Sequence, residues 1–155
     1  MNIILMRHGE AIPFALNDAE RPLTAKGRAD AAIIGSHLRK SEWSLSTIFC
    51  STRSRAQQTA EVLMDSIRSE HQVKVLEGIT PEDDWRHAMA VIERHMLEGA
   101  IFVFHQPILT AIVGFLTEAD ANFDVRPRAL PATAYHLRLA AVLPGMATLA
   151  GGYQP

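Results

Sequence analysis

The sequence predicts an α/β fold in which short strands form a sheet and are joined by crossover helices. Three observations lead to that class. Short apolar runs alternate with longer segments whose apolar residues recur at helical spacing. Three of the short runs break off into clusters of His and Arg, the pattern of strand ends that open on a polar crevice. The composition is that of an ordinary globular chain: of 155 residues 48% are hydrophobic and 21% charged, with 9 Gly and 8 Pro. That balance excludes disordered, collagen-like and low-complexity classes.

The elements follow in order. Ile3 to Met6 is the first strand. Thr24 is placed to cap a helix over Ala25 to Lys40, rich in Ala and carrying Ile33, Ile34 and Leu38. Ile48 to Cys50 reads as a second strand, and Thr59, Val62, Leu63 and Ile67 form the apolar stripe of a helix over Ser54 to Arg68. Val73 to Leu76 is the third strand. Trp85, Ala88, Met89, Ile92 and Met96 repeat at helical spacing, with Glu82, Asp83 and Asp84 suited to that helix's first turn. Ile101 to Phe104 is the fourth strand, and Pro107 is expected at the first position of an apolar helix reaching Leu116. Thr133 to Leu139 and Met146 to Leu149 complete the set as two late strands.

A chain of this length buries about two thirds of its surface around one core, so a single domain over residues 1–155 is expected. Lys and Arg number 15 against 17 Asp and Glu, for a net charge of -2, without the basic excess that nucleic-acid binding requires. No apolar stretch is long enough to span a membrane. The N-terminus lacks the basic and apolar regions of a signal peptide, and Cys50 is the lone cysteine, so a cytoplasmic protein is expected, with neither nucleic acid nor membrane as partner.

The chemistry gathers at three strand ends. Ile3 to Met6 leads into Arg7-His8-Gly9, Ile48 to Cys50 into Ser51-Thr52-Arg53-Ser54-Arg55, and Ile101 to Phe104 into His105-Gln106-Pro107. In a parallel sheet these groups share one crevice. Guanidinium forks match phosphate oxygens, and helix starts near Ser54 and Pro107 add N–H donors, so the crevice is suited to a phosphoryl group. A neutral His8 can attack phosphorus if its other ring nitrogen donates to a carbonyl, while Arg7, Arg55 and His105 stabilise the transferring oxygens. Gly9 allows the backbone to approach a ligand closely.

These motifs, in this order, resemble the histidine phosphatase (phosphoglycerate mutase-like) superfamily: Arg7-His8-Gly9; Ser51 with Arg55-Ala56 and Gln58-Thr59-Ala60; and His105 with Pro107. Arg21-Pro22-Leu23-Thr24 with Gly27, and Ile79-Thr80-Pro81, resemble its small bacterial branch, the SixA-type phosphohistidine phosphatases. The resemblance implies a three-layer α/β/α sandwich around a mostly parallel sheet with one antiparallel strand. It also implies a phosphohistidine intermediate on His8, with Arg7, Arg55 and His105 as the phosphate pocket and Gly9, Ser51 and Arg21 as substrate-binding residues. The expected activity is removal of phosphate from protein phosphohistidine, without metal or organic cofactor. Small phosphate esters, with phosphatase or mutase chemistry, are the rival substrates, and a phosphate-binding or partner-binding module without turnover is the non-enzyme rival.

Several residues carry two readings. Arg53 is a second phosphate ligand or a solvated helix-start arginine; Arg21 is a substrate contact or an ion-pair partner of Asp18 or Glu20. Glu77 and Glu82 are the candidate general acids. Phe104, where the family commonly has Gly, narrows the pocket or fills the core, and Thr52 replaces a usual Pro. Cys50 suggests a cysteine-dependent phosphatase, but the Arg needed after five intervening residues falls at Ala56. The predicted elements use nearly the whole chain and leave little room for a lid, which favours a phosphoryl group presented by another protein.

Overall fold

The computed structural model describes residues 1–118 and 129–155. Its elements are β1 (Asn2–Arg7), a 3-10 turn (Asp18–Glu20), α1 (Ala25–Lys40), β2 (Ile48–Ser51), α2 (Ser54–Ile67), β3 (Val73–Leu76), α3 (Trp85–Glu93), β4 (Ala100–Phe104), α4 (Ile108–Thr117), β5 (Ala134–Leu139) and β6 (Ala147–Tyr153). The six strands form one sheet in the order β3-β2-β4-β1-β5-β6. The first four in that order run parallel, and β5 is antiparallel to both of its neighbours. The single antiparallel strand agrees with the expected sandwich.

The sheet is buried on both faces, which is why its central strands are apolar throughout rather than alternating. Along β1 the side chains sort by the two-residue period: Ile3 and Leu5 enter one core, Ile4 and Met6 the other. β4 does the same, with Phe102 and Phe104 facing the first core and Ile101 and Val103 the second. The first core is closed by α3 and α4 through Met89, Ile92, Leu109 and Ile112; the second is closed by α1 and α2 through Ile34, Leu38, Ala60 and Leu63. Three layers result, and fully burying each large apolar side chain stabilises the fold by about 1.5–3 kcal/mol. Phe104 is fully buried in the α3/α4 core, so its ring packs there instead of narrowing the cleft.

Some element boundaries differ from those expected. Pro107 is the cap residue before α4, not its first residue, and follows a cis Gln106–Pro107 bond. The three acids stand ahead of α3, which starts at Trp85. Asp84 caps the helix by accepting from the Arg86 and His87 amides, Asp83 accepts from Thr80, and Glu82 pairs with Arg53. α3 ends at Glu93, yet Met96 still packs against the core from the following turn. β6 runs past Leu149 through Gly151 and Gly152, because β5 continues to pair with it across a bulge at His136/Leu137. No helix among the described residues is long and apolar enough to cross a membrane.

Candidate active site

Parallel register brings the three polar strand ends together. Arg7 pairs with Phe104, and the His8 amide donates to the Phe104 carbonyl at 3.1 Å, so His8 and His105 leave adjacent strands side by side. Their ring centroids are 4.9 Å apart. Both open on a cleft of about 300 Å³ that is also lined by Arg7, Arg21, Arg55 and Glu10.

His8 is held for one direction of reaction. Its Nδ1 lies 2.7 Å from the Gly9 carbonyl oxygen, which can only accept, so Nδ1 carries the proton and Nε2 keeps its lone pair. Burial pushes the imidazole down from 6.5 to about 4, against the Gly9 hydrogen bond and with help from Arg55, Arg7 and Arg21. His105 is pushed further, to about 2, first by burial and then by His8 and the arginines. Both rings are therefore neutral at physiological pH. His105 Nε2 lies 2.5 Å from Ser51 Oγ, while its buried Nδ1 has no partner among the described residues.

The arginines come from different places. Arg7 ends β1, and its Nη1 donates to the Ala129 carbonyl at 2.6 Å. Arg55, in the first turn of α2, is 3% exposed. Its Nη1 donates to the Asp18 carbonyl at 2.9 Å and its Nη2 to the Asp18 carboxylate at 3.2 Å. Arg21 Nε donates to the other Asp18 carboxylate oxygen at 2.7 Å, and its Nη1 to the Ile12 carbonyl at 2.9 Å. Burial raises the Asp18 carboxyl, but the two guanidinium groups outweigh it and hold it below its ordinary range. Arg21 thus lines the cleft and is the ion-pair partner of Asp18, the second of its two readings.

Two residues expected to touch substrate stand behind the site. Ser51 is fully buried and meets His105 rather than the cleft. Gly9 donates its amide to Thr59 Oγ1 at 3.0 Å, and a Cβ there would lie 2.5 Å from the Gly27 carbonyl oxygen. A Cβ on Gly27 would in turn lie 2.1 Å from the Glu10 carbonyl oxygen. The two glycines therefore let the loop after β1 pack directly onto the start of α1, and close backbone packing, not ligand approach, accounts for Gly9. Thr24 caps α1 by accepting from the Gly27 amide at 2.9 Å, and its hydroxyl donates to Glu10 Oε1 at 2.8 Å. The Arg-Pro-Leu-Thr-x-x-Gly string is thus a clamp on the loop carrying His8 and Glu10.

The candidate acids do not join the site. Glu77 is exposed and lines no part of the cleft, and Glu82 is tied to Arg53 at 2.7 Å. Among the described residues Glu10 is the acidic residue that lines the cleft, and sequence reading missed it although it directly follows Gly9. Thr59 was also missed as a site residue: besides receiving the Gly9 amide, its hydroxyl donates to the Arg55 carbonyl at 2.7 Å. Cys50 is buried inside β2, where burial raises its thiol to about 12, so it offers no thiolate.

Comparison with known proteins agrees with this geometry. Residues 3–80 match the histidine phosphatase superfamily (branch 1). The Escherichia coli phosphohistidine phosphatase SixA is 28% identical over 123 residues, covering 77% of this chain and 76% of the relative. A SixA homolog of Haemophilus influenzae is 33% identical over 129 residues, covering 75% and 77%. Among solved structures, the protein histidine phosphatase SixA complexed with tungstate superposes with a TM-score of 0.85 at 24% identity, covering 100% of this chain and 97% of that one. The chain belongs to the histidine phosphatase superfamily.

Proposed function

We propose that this chain is a phosphohistidine phosphatase that works through a phosphoryl group carried on His8. The observation that carries the reading is the state of His8: a neutral imidazole with Nδ1 committed to the Gly9 carbonyl, leaving the Nε2 lone pair in a cleft bordered by Arg7, Arg21 and Arg55. The names of two relatives, at 28% and 33% identity, favour phosphohistidine as substrate. In the first step Nε2 bonds to phosphorus and the substrate's P–N bond breaks, its electron pair returning to the substrate imidazole. With the other nitrogen of the substrate ring protonated from solvent, an equilibrium near pH 6.5, the group that leaves is neutral imidazole and needs little help from an enzyme acid. Water then attacks phosphorus, the P–Nε2 bond breaks, and inorganic phosphate leaves with neutral His8 restored. Arg7 and Arg55 stabilise the phosphoryl oxygens. A Ser51 hydroxyl that donates to His105 Nε2 places the His105 proton on Nδ1, the nitrogen available to a phosphoryl oxygen. The proposed setting is the cytoplasm, and no metal or organic cofactor enters these steps.

Hydrolysis of small phosphate esters is the second reading, favoured by the Glu10 carboxylate in the cleft. An ester oxygen is a poor leaving group and needs an acid at that position. Purified protein assayed on a phosphohistidine protein, p-nitrophenyl phosphate and 3-phosphoglycerate, with acid-labile phosphate trapped on His8, separates the two. The expected result is turnover of the phosphohistidine protein and labelling that His8→Ala abolishes. Turnover of the esters alone, with Glu10→Gln reducing it, would establish the second reading.

A further inference from the structure

The most exposed large apolar side chains among the described residues are Leu16, Phe14 and Leu130, at 111, 87 and 64% of full exposure. None of them lines the phosphate cleft itself, but each is joined to it through neighbours along the chain. Phe14 and Leu16 lie on the segment 12–17, which leaves the cleft at the lining residue Ala11 and returns at Asp18, the anchor of Arg21 and Arg55. Leu130 precedes the lining residue Pro131 and lines a second cleft of about 260 Å³ that shares Glu10 and Pro131 with the first. Exposed apolar residues scattered singly over a surface need no explanation, whereas these three stand on segments that run directly into residues of the cleft.

The segment that bears two of them is fixed at both ends. The Ile12 amide donates to the Pro22 carbonyl at 3.0 Å, and the Ile12 carbonyl accepts from Arg21. At the other end the Asn17 side chain accepts from the Ala19 amide at 3.0 Å, and Arg55 holds the Asp18 carbonyl. Phe14 and Leu16 are therefore displayed on a tethered strap, against the ordinary preference of such side chains for burial.

We propose that Phe14, Leu16 and Leu130 form the docking surface for the protein that carries the phosphohistidine. The inference rests on the function proposed above and adds where the carrier binds. A phosphoryl group within bonding distance of His8 lies in the cleft, so the histidine bearing it and the surface around that histidine lie against the rim. Cationic side chains below meet the phosphoryl oxygens, and apolar side chains above meet an apolar patch of the carrier. A small phosphate compound fills the cleft and leaves the strap in water.

The test uses the whole chain with two substrates: free phosphohistidine and a phosphotransfer protein phosphorylated on histidine with phosphoramidate, chosen from a small panel as the one wild-type protein turns over fastest. For the double variant Phe14→Ser/Leu16→Ser, and separately for Leu130→Ser, kcat/KM on the protein substrate is expected to fall about tenfold or more, the scale of one lost apolar anchor. On free phosphohistidine it is expected to stay at the wild-type value. Unchanged rates on the protein substrate would overturn the docking surface, as would equal losses on both substrates. A wild-type dimer that the double variant dissolves, with protein-substrate rates intact, would assign the patch to a second copy and also overturn it. Wild-type protein that hydrolyses esters but no phosphohistidine protein would instead overturn the function itself, an outcome visible before any variant is made.

Discussion

His8 and His105, at the floor of the cleft, are 8% and 1% exposed and follow strands with fully buried interiors, whereas the rim strap 12–18 lies largely in water and is held by Asp18 to two arginines. The floor is set by desolvation: burial is the largest cause of the shift in both histidines, and it keeps them neutral. The rim is set by charge pairing and by main-chain contacts reaching from Ile12 and Asp18 to Arg21 and Arg55. Arg55 belongs to both, since it is buried like the floor and bonded like the rim. The contrast teaches that the proposed nucleophile is preset by the sheet, while the cleft arginines hang on a few contacts to the exposed strap.

The substitution that breaks both regions at once carries the largest expected effect. Arg55→Ala removes a cation of the cleft and the strap's anchor together, and on the proposed function a loss of about 10²–10³ in kcat is expected, the scale of one deleted transition-state donor. Steady-state kinetics on a phosphohistidine protein checks it; a loss confined to KM would place Arg55 with the rim alone.

Acid tests the floor by itself. His8 titrates near 6.5 when unfolded and near 4 when folded, so below 6.5 the unfolded chain binds the proton first and stability falls as pH falls. His8 then contributes a loss of up to about 3 kcal/mol by pH 4, and His105, pushed to about 2, adds to it in the same direction. Urea unfolding at pH 7, 6, 5 and 4 measures the slope, which His105→Asn is expected to flatten. Activity should show no His8 titration near 6.5, since the folded ring stays neutral to about pH 4.

Asp18→Asn loosens only the rim. It removes the charge shared by Arg21 and Arg55 but leaves the Asp18 carbonyl to Arg55. The expected outcome is a KM about tenfold higher with kcat within about twofold, the pattern of lost uniform binding. A kcat loss as large as that of Arg55→Ala would show that the strap governs chemistry as well as binding. Cys50→Ser should change kcat least of all, because the thiol lies inside β2 away from the cleft. Its cost is expected in stability, about 1–3 kcal/mol for burying an unpaired hydroxyl, read from the melting curve.

Much of this molecule was legible in local pattern. Ile3 to Met6 and Ile101 to Phe104 are apolar without interruption because both faces of the sheet are covered, and Thr24 marks the start of α1 because a cap needs only its own hydroxyl and the amide three residues on. His8 and His105 could be placed together by reasoning that parallel strands end on one side. What local pattern does not encode is which distant group a polar side chain meets. The hydrogen bonds from Arg55 to Asp18 span 37 residues, that from Gly9 to Thr59 spans 50 and the Ser51–His105 contact spans 54. Those separations close only when β2 pairs with β4 and α2 docks on the sheet. Tertiary structure alone therefore decided that Ser51 and Gly9 stand behind the site, that Glu10 lines the cleft, that Phe104 turns into the core, and that Phe14 and Leu16 stay outside it. The physical reason is that composition and periodicity determine which face of an element is buried, while the partner found on that face depends on elements brought in from elsewhere in the chain.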